Sequence, residues 1–215
     1  MAHEVTRRRP SSRALCSRDH NGPGMPLPIP DDRPRITVPL RDGSVAVLSP
    51  LEREDRDLLL EGLAGLSPES RYARFGEGRG GLTESELDYL ADVDQTSHVA
   101  WGAAIDDQVA GVGRYIVDPE RGCAEVAITV MDRYQGRGLG RALFETLAAV
   151  ARDDGIAELC FSVHPANEPV LRILQGIETH LDPEGELVEG RISLADIPAG
   201  RRDHEVLGVM RQVRA

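Results

Sequence analysis

A glycine-rich loop between a strand-like run and an amphipathic segment is the strongest structural constraint in this sequence. The loop is Gln135-Gly136-Arg137-Gly138-Leu139-Gly140-Arg141, and it follows the apolar run from Ala124 to Val130. Apolar residues then recur at helical spacing, at Leu139, Leu143, Leu147 and Val150. Glycines let such a loop turn sharply and point its amide N–H groups at an anion, beside the positive end of the helix dipole. The pattern predicts a strand, a diphosphate-binding loop and a helix.

Two other phosphate-binding motifs do not fit this loop. A P-loop needs a lysine, and every Lys or Arg position in this chain is arginine. A dinucleotide fingerprint has the spacing G-x-G-x-x-G, whereas Gly136, Gly138 and Gly140 give G-x-G-x-G. The alternative is a glycine-rich turn that binds no ligand. The absence of a Ser, Thr or Asp cap before the helix favours a ligand that supplies the acceptors.

Strand and helix patterns follow one another from Arg35 onward. Apolar alternation and β-rich runs predict strands at Arg35 to Leu40, Ser44 to Leu48, His98 to Ile105, Gln108 to Val117, Cys123 to Met131, Ala157 to Val163, Glu186 to Leu194 and Glu205 to Val213. Helical spacing and caps predict helices at Leu51 to Leu66, Ser67 through Phe75, Thr83 to Val93, Gly138 to Arg152 and Glu168 to Leu174. This order predicts the α+β class, with a mixed, mostly antiparallel central sheet flanked by helices.

The first 34 residues have a different character. They mix arginine, serine, proline and glycine without periodicity, and cannot bury enough apolar surface to offset the entropy of ordering. We therefore expect a disordered tail over residues 1–34 and one folded domain over residues 35–215. A functional basic arm is the alternative, although the net charge of this stretch is only +2.

Charge and hydropathy restrict the partners. The chain carries a net charge of −11, so the part after the tail carries −13. Such acidity disfavours nucleic acid and attracts cationic molecules such as amines. No run approaches eighteen apolar residues and the N-terminus lacks an apolar signal region, so we expect a cytoplasmic protein without a membrane partner.

Three cysteines, Cys16, Cys123 and Cys160, are sparse, far apart and odd in number. This fits a reducing cytosol better than a disulfide framework. Cys123 and Cys160 lie in apolar strand-like runs, where cysteine usually acts as a small hydrophobe rather than a nucleophile. No Cys or His pair has metal-ligand spacing, so we expect no metal.

The motif Gln135-x-x-Gly138-x-Gly140 resembles the Q/R-x-x-G-x-G/A pyrophosphate motif of the GNAT superfamily of acyl-CoA N-acyltransferases. The resemblance includes the preceding strand, the helix, the strand Leu159 to Val163 and Asn167. Within the superfamily, three short segments resemble segments of the catalytic domain of actinobacterial protein lysine acetyltransferases. They are Leu66 to Tyr72, Leu82 to Leu87 and Ala124 to Ala127.

The resemblance implies acetyl-CoA as the co-substrate and a role for each matched residue. The strand residues Ile128, Thr129 and Val130 would pair with the pantetheine arm through their backbone. Backbone amides of the loop would hold the pyrophosphate, at Gln135, Gly136, Arg137, Gly138, Leu139, Gly140 and Arg141. Asn167 would hydrogen-bond the cofactor from the next loop, and His164 is a weaker candidate for a ligand contact.

Catalysis by direct transfer requires a base, because a protonated amine cannot attack the thioester. Glu125 is the candidate, and the alternative is a glutamate that merely points to solvent from a half-buried strand. Many members carry a tyrosine seven residues after the asparagine as general acid, and here that position is Leu174. No acid is therefore assigned, although a thiolate is a tolerable leaving group.

The acceptor is not named by any residue pattern. The resemblance favours a protein lysine, while a small-molecule amine and a non-catalytic acyl-CoA-binding sensor remain open. A homodimer also remains open, because no feature of the sequence sets the oligomeric state.

Overall fold

The computed structural model describes residues 29–30, 32–68, 70, 83–164, 167–184 and 187–215. Most of the expected tail, and most of the helix expected from Ser67 through Phe75, lie outside these ranges. Near the start of the described chain, Arg33 forms ion pairs with Asp55 at 2.6 Å and with Glu52 at 3.1 Å.

Within the described residues, eight strands form one sheet in the order β1-β2-β3-β4-β5-β6-β8-β7. The strands are β1 Ile36–Pro39, β2 Val45–Pro50, β3 His98–Ile105, β4 Gln108–Asp118, β5 Cys123–Val130, β6 Glu158–Val163, β7 His180–Glu184 and β8 Leu187–Ser193. All neighbouring pairs are antiparallel except β5 and β6, which run parallel. The prediction of a mixed, mostly antiparallel sheet is confirmed.

Helices cover both faces of the sheet. In the described ranges they are α1 Arg56–Ala64, α2 Glu84–Ala91, α3 Leu139–Asp153, α4 Glu168–Leu174 and α5 Asp203–Val213. Side chains of α3 and α5 share the main hydrophobic core, whereas α1 and α2 pack in a smaller cluster with Leu51 and Ala100. Thr83 and Glu86 form the predicted capping box of α2. None of the described helices is long and apolar enough to cross a bilayer.

Helix α3 lies close to the sheet because β4 has a glycine beneath it. Leu143 and Leu147 of α3 are fully buried. A Cβ at Gly113 would lie 3.1 Å from Leu147 Cδ1 and 3.3 Å from Leu143 Cβ, so a larger residue would push the helix outward. This packing fixes where the N-terminus of α3 meets the glycine-rich loop.

Strands β5 and β6 stay together for only two register pairs, Ala124 with Leu159 and Glu125 with Cys160. After Glu125 the strands part, while β5 remains paired with β4 as far as Val130 and β6 remains paired with β8. A cleft therefore opens along one edge of β5, directly before the glycine-rich loop.

The predicted list of elements requires two corrections. The segment Glu205 to Val213 is helical, not a strand, and lies in α5. Its buried residues Val206, Val209 and Met210 have the spacing of a helix face, which the strand prediction overlooked. Strand β7 was not predicted, because an edge strand containing Asp182 and Pro183 has weak strand propensity and pairs only with β8.

The expectation of unpaired cysteines is wrong for two of the three. Cys123 and Cys160 form a disulfide with their Cα atoms 6.0 Å apart. They are 37 residues apart in sequence, but the parallel pairing of β5 and β6 brings the two strands side by side. Because Cys123 and Glu125 are two residues apart on one strand, the disulfide lies on the same sheet face as Glu125. Cys16 is outside the described residues.

Two glycines on β8 and α5 provide a matched test of the packing. A Cβ at Gly190 would lie 2.1 Å from Phe161 Cζ, whereas a Cβ at Gly208 meets nothing within 4 Å. We expect Gly190→Ala to destabilise the fold by about 1–3 kcal/mol through overpacking. Gly208→Ala should stabilise it by about 0.5–1 kcal/mol, because alanine is the better helix residue. Urea unfolding measures the change in the free energy of unfolding of each variant. Equal changes in the two variants would contradict this packing.

Candidate functional site

The glycine-rich loop turns through two left-handed backbone positions. A short 3-10 turn, Asp132–Tyr134, follows β5, and the chain then reaches Gly136 with φ +74° and Gly138 with φ +97°. Gly138 is the N-cap of α3, and no side chain of the described residues caps this helix. The first N–H groups of a helix have no acceptor within it, so those at the start of α3 are available to an anion. These N–H groups lie where the sequence predicts that a diphosphate binds.

Gly140 serves packing rather than turning. A Cβ at this position would lie 3.0 Å from Ile173 Cδ1 and 3.7 Å from Val130 Cγ2. Glycine therefore lets the first turn of α3, the end of β5 and α4 come together at the mouth of the cleft.

The Gln135 side chain binds the protein itself. Its Nε2 donates to the Val130 carbonyl at 3.1 Å and to Ser70 Oγ at 3.2 Å. Its backbone N–H donates to the Asp132 carbonyl at 3.2 Å. In this structure Gln135 closes the loop onto the end of β5, and its side-chain NH₂ and backbone N–H are already engaged.

Asp132 is a residue of this region that the sequence analysis missed. It accepts hydrogen bonds from the Ser67 N–H at 2.9 Å, from Ser67 Oγ at 3.0 Å and from the Ser70 hydroxyl. Burial opposes ionisation, but the hydrogen bonds from Ser70 and Ser67 outweigh it and hold the pKa of Asp132 below its ordinary value. The carboxylate thus holds Ser67 and Ser70 against the loop. The contact joins residues more than sixty positions apart, so no local pattern signals it.

Both loop arginines are bound to protein groups. Arg137 pairs with Asp42 at 3.0 Å, donates to the Arg133 carbonyl at 2.7 Å and lies 5.2 Å from the Tyr134 ring centroid. Arg141 donates to Glu145 at 2.9 Å and to the Ile173 carbonyl at 3.0 Å. Their guanidinium groups therefore brace the loop, and each already pairs with a carboxylate of the protein.

The predicted pantetheine strand has one open edge. Ile128, Thr129 and Val130 are half-buried and pair with β4 on one side only. Their other edge faces the cleft, because β6 has already separated from β5. An extended ligand can therefore add to this edge as a further strand.

Asn167 lies at the start of α4, across the cleft entrance from β5. Its Oδ1 caps the helix by accepting from the Val170 N–H at 3.3 Å, and its own N–H donates to the His164 carbonyl at 2.8 Å. Its side-chain NH₂ group makes no hydrogen bond within the described chain. Leu174 is the last residue of α4 and supplies no acid.

Glu125 stands where β5 and β6 begin to part. Its side chain is exposed and has no hydrogen bond or ion pair to any described residue. Ala127 and Thr129 follow on the same face and line an apolar pocket under α1 and α2, together with Leu51, Leu59, Leu90 and Val112. The carboxylate is thus free and lies at the end of an apolar pocket wall. No group of His, Cys, Asp and Glu side chains in the described ranges could hold a metal ion.

His98 has a structural position beside this pocket. It is 6% exposed, and its Nε2 lies 3.1 Å from Arg114, which also donates to the Leu90 carbonyl at 2.7 Å. Burial, followed by the nearby guanidinium, lowers the pKa of His98 below its ordinary value. A histidine held in this way has a structural role in the packing of β3 against β4 and α2.

The model of the acetyltransferase (GNAT) family matches residues 67–175, which contain the loop, β5 and Asn167. The chain belongs to this family. It is accordingly an acyl-CoA-dependent N-acetyltransferase with acetyl-CoA as co-substrate.

Two curated relatives agree with this assignment. Acetyltransferase PA5475 of Pseudomonas aeruginosa is 33% identical over 139 residues, which cover 63% of this chain and 74% of that protein. Acetyltransferase Pat of Mycolicibacterium smegmatis is 32% identical over 143 residues, which cover 65% of this chain and 42% of that protein. The chain therefore spans less than half the length of Pat.

Solved structures give the same fold. The GNAT domain of S. lividans PAT has a TM-score of 0.68 at 29% identity, and the match covers 74% of this chain and 96% of that domain. YncA of Salmonella typhimurium, solved with its cofactor acetyl-CoA, has a TM-score of 0.57 at 16% identity, and covers 73% of this chain and 98% of its own. The second likeness concerns the fold alone.

Substitution at two left-handed glycines tests the cradle. Gly138 and Gly155 both have positive φ, but only Gly138 lies in the loop. We expect alanine at either position to cost about 1–2 kcal/mol of stability, because an L-residue is strained there. Only Gly138→Ala should weaken CoA binding, by about tenfold or more, since relaxing this φ turns the first α3 amides away from the anion. Calorimetric titration with CoA measures this, and equal affinities of the two variants would contradict the cradle.

Proposed function

We propose that this chain transfers the acetyl group of acetyl-CoA directly to a primary amine, and that the amine is a protein lysine. The observation that carries the proposal is the free carboxylate of Glu125 at the parting of β5 and β6. It lies three to five residues before the open backbone edge of Ile128 to Val130. A base and a strand that can hold the pantetheine arm thus share one cleft.

The cofactor fits this cleft in a single direction. The diphosphate binds the amides at the start of α3, and the pantetheine arm pairs with the open edge of β5. The arm then runs from Val130 toward Glu125, which brings the thioester to the place where the strands part. The side-chain NH₂ of Asn167 donates to the cofactor from the opposite side of the entrance.

Transfer then needs one proton acceptor. Glu125 takes a proton from the ammonium, directly or through a water, and the freed amine attacks the thioester carbon. As the new C–N bond forms, the C–S bond breaks and its electron pair leaves on sulfur as the CoA thiolate. The nitrogen then releases its remaining surplus proton to water, which leaves the neutral amide. With Leu174 in place of an acid, the thiolate leaves unprotonated and takes a proton from water, which its moderate basicity allows.

Two features support a lysine acceptor beyond the motif resemblance. The apolar pocket along Ala127 and Thr129 suits the aliphatic stem of lysine, which packs on apolar surface while its amine stays polar. The net charge of −11 attracts cationic acceptors. A small-molecule amine is the competing acceptor. The alternative of a non-catalytic acyl-CoA-binding sensor is disfavoured by the free carboxylate of Glu125.

The absence of lysine from this chain removes self-acetylation of lysine as a background signal in a test of the acceptor. Since the chain contains only arginine among its Lys and Arg positions, every ε-acetyl-lysine in a reaction comes from the acceptor. We expect higher kcat/KM with lysine-containing proteins and peptides than with polyamines, amino acids or aminoglycosides. Mass spectrometry of the acceptors and a thiol-release assay measure the two classes. A higher value with any small amine would reject the lysine proposal.

Removal of the carboxylate tests the base. We expect Glu125→Gln to lower kcat about 10²–10⁴-fold, the usual contribution of a general base. The affinity for acetyl-CoA should not change, because the side chain faces the acceptor. The control is Glu205→Gln, which removes an exposed carboxylate from the first turn of α5. Unchanged turnover in Glu125→Gln would show that Glu125 is not the general base.

A further inference from the structure

Arg41 brings the first hairpin into contact with the glycine-rich loop. It lies in the turn between β1 and β2, and its N–H donates to the Arg137 carbonyl at 3.0 Å. Asp42 strengthens the contact through its 3.0 Å ion pair with Arg137. A residue nearly a hundred positions before the loop is thus held against it by backbone and side-chain bonds.

The Arg41 side chain passes over the N-cap of α3. A Cβ at Gly138 would lie 3.6 Å from both Cγ and Nε of Arg41, so the arm of the arginine crosses the glycine at van der Waals distance. The side chain is exposed, and the described part of the chain gives it no hydrogen bond and no ion pair. Its charge is therefore uncompensated beside the amides that begin α3.

The contrast with the motif arginines is informative. The guanidinium groups of Arg137 and Arg141 are occupied by Asp42 and Glu145, respectively. Arg41 differs from both, because its guanidinium has no carboxylate partner in the described ranges. Of these three arginines, only Arg41 has its charge available to a ligand at the loop.

We propose that Arg41 ion-pairs with the diphosphate of CoA and completes the anion site from outside the glycine-rich motif. The proposal rests on the cofactor placement given above. The helix amides supply a partial positive charge, and the diphosphate carries two negative charges that they do not neutralise. A guanidinium within reach of the same amides supplies a full charge and forked donors suited to phosphate oxygens.

Binding measurements with two cofactors test the proposal. We expect Arg41→Gln to weaken CoA and 3′-dephospho-CoA equally, each by about tenfold, the effect of losing one hydrogen-bonded charge pair. The difference should shrink as salt is raised, since the site is exposed. The control is Arg211→Gln on the exposed surface of α5, which makes the same charge change and should bind both ligands like the wild type.

Each other outcome has a definite meaning. Unchanged affinity in Arg41→Gln, or a loss independent of salt, overturns the proposal. If Arg41→Gln weakens the binding of CoA but not of 3′-dephospho-CoA, Arg41 contacts the 3′-phosphate, and the proposal is also overturned. Failure of the wild-type protein to bind either cofactor would instead reject the cofactor placement itself. Melting temperatures of both variants exclude a loss of fold as the cause.

Discussion

The separation of β5 from β6 after Glu125 is the constraint on which the site depends. Two register pairs hold the strands together, and the backbone of β5 then loses its partner on one side. Unpaired N–H and C=O groups inside a protein must be satisfied by another donor or acceptor. The open edge can be satisfied by an extended ligand, and the same separation of the strands leaves the Glu125 carboxylate exposed.

The glycines make the loop open, but other residues make it rigid. Gln135 hydrogen-bonds to the end of β5, and Asp132 accepts hydrogen bonds from Ser67 and Ser70. Arg137 forms an ion pair with Asp42 of the first hairpin. Amides held in place before the ligand arrives bind it without a cost of reorganisation. The polar side chains of the motif thus bind other protein groups, and the N–H groups at the start of α3 are the ones proposed to bind the cofactor.

The sequence patterns correctly predicted those elements whose conformation is set by residues close together in the sequence. The loop, the apolar face of α3 and the capping box of α2 each depend on residues within a few positions of one another. Strand β7, the disulfide and the contacts of Asp132 depend on partners far along the chain, which periodicity does not record. The wrong prediction of a strand in place of α5 has a different cause. The spacing of Val206, Val209 and Met210 in the sequence is that of a helix face, but it was interpreted as strand alternation.

The Cys123–Cys160 disulfide bears on the choice between direct and two-step transfer. Neither sulfur is a thiolate while the bond is intact, so neither can carry the acetyl group as a thioester intermediate. This supports the proposed direct attack of the amine on acetyl-CoA, with Glu125 as the proposed base. The disulfide also fixes β5 to β6 beside Glu125, on the same sheet face. A bond that removes two candidate nucleophiles thereby holds the candidate base in position, so both effects favour a single direct transfer.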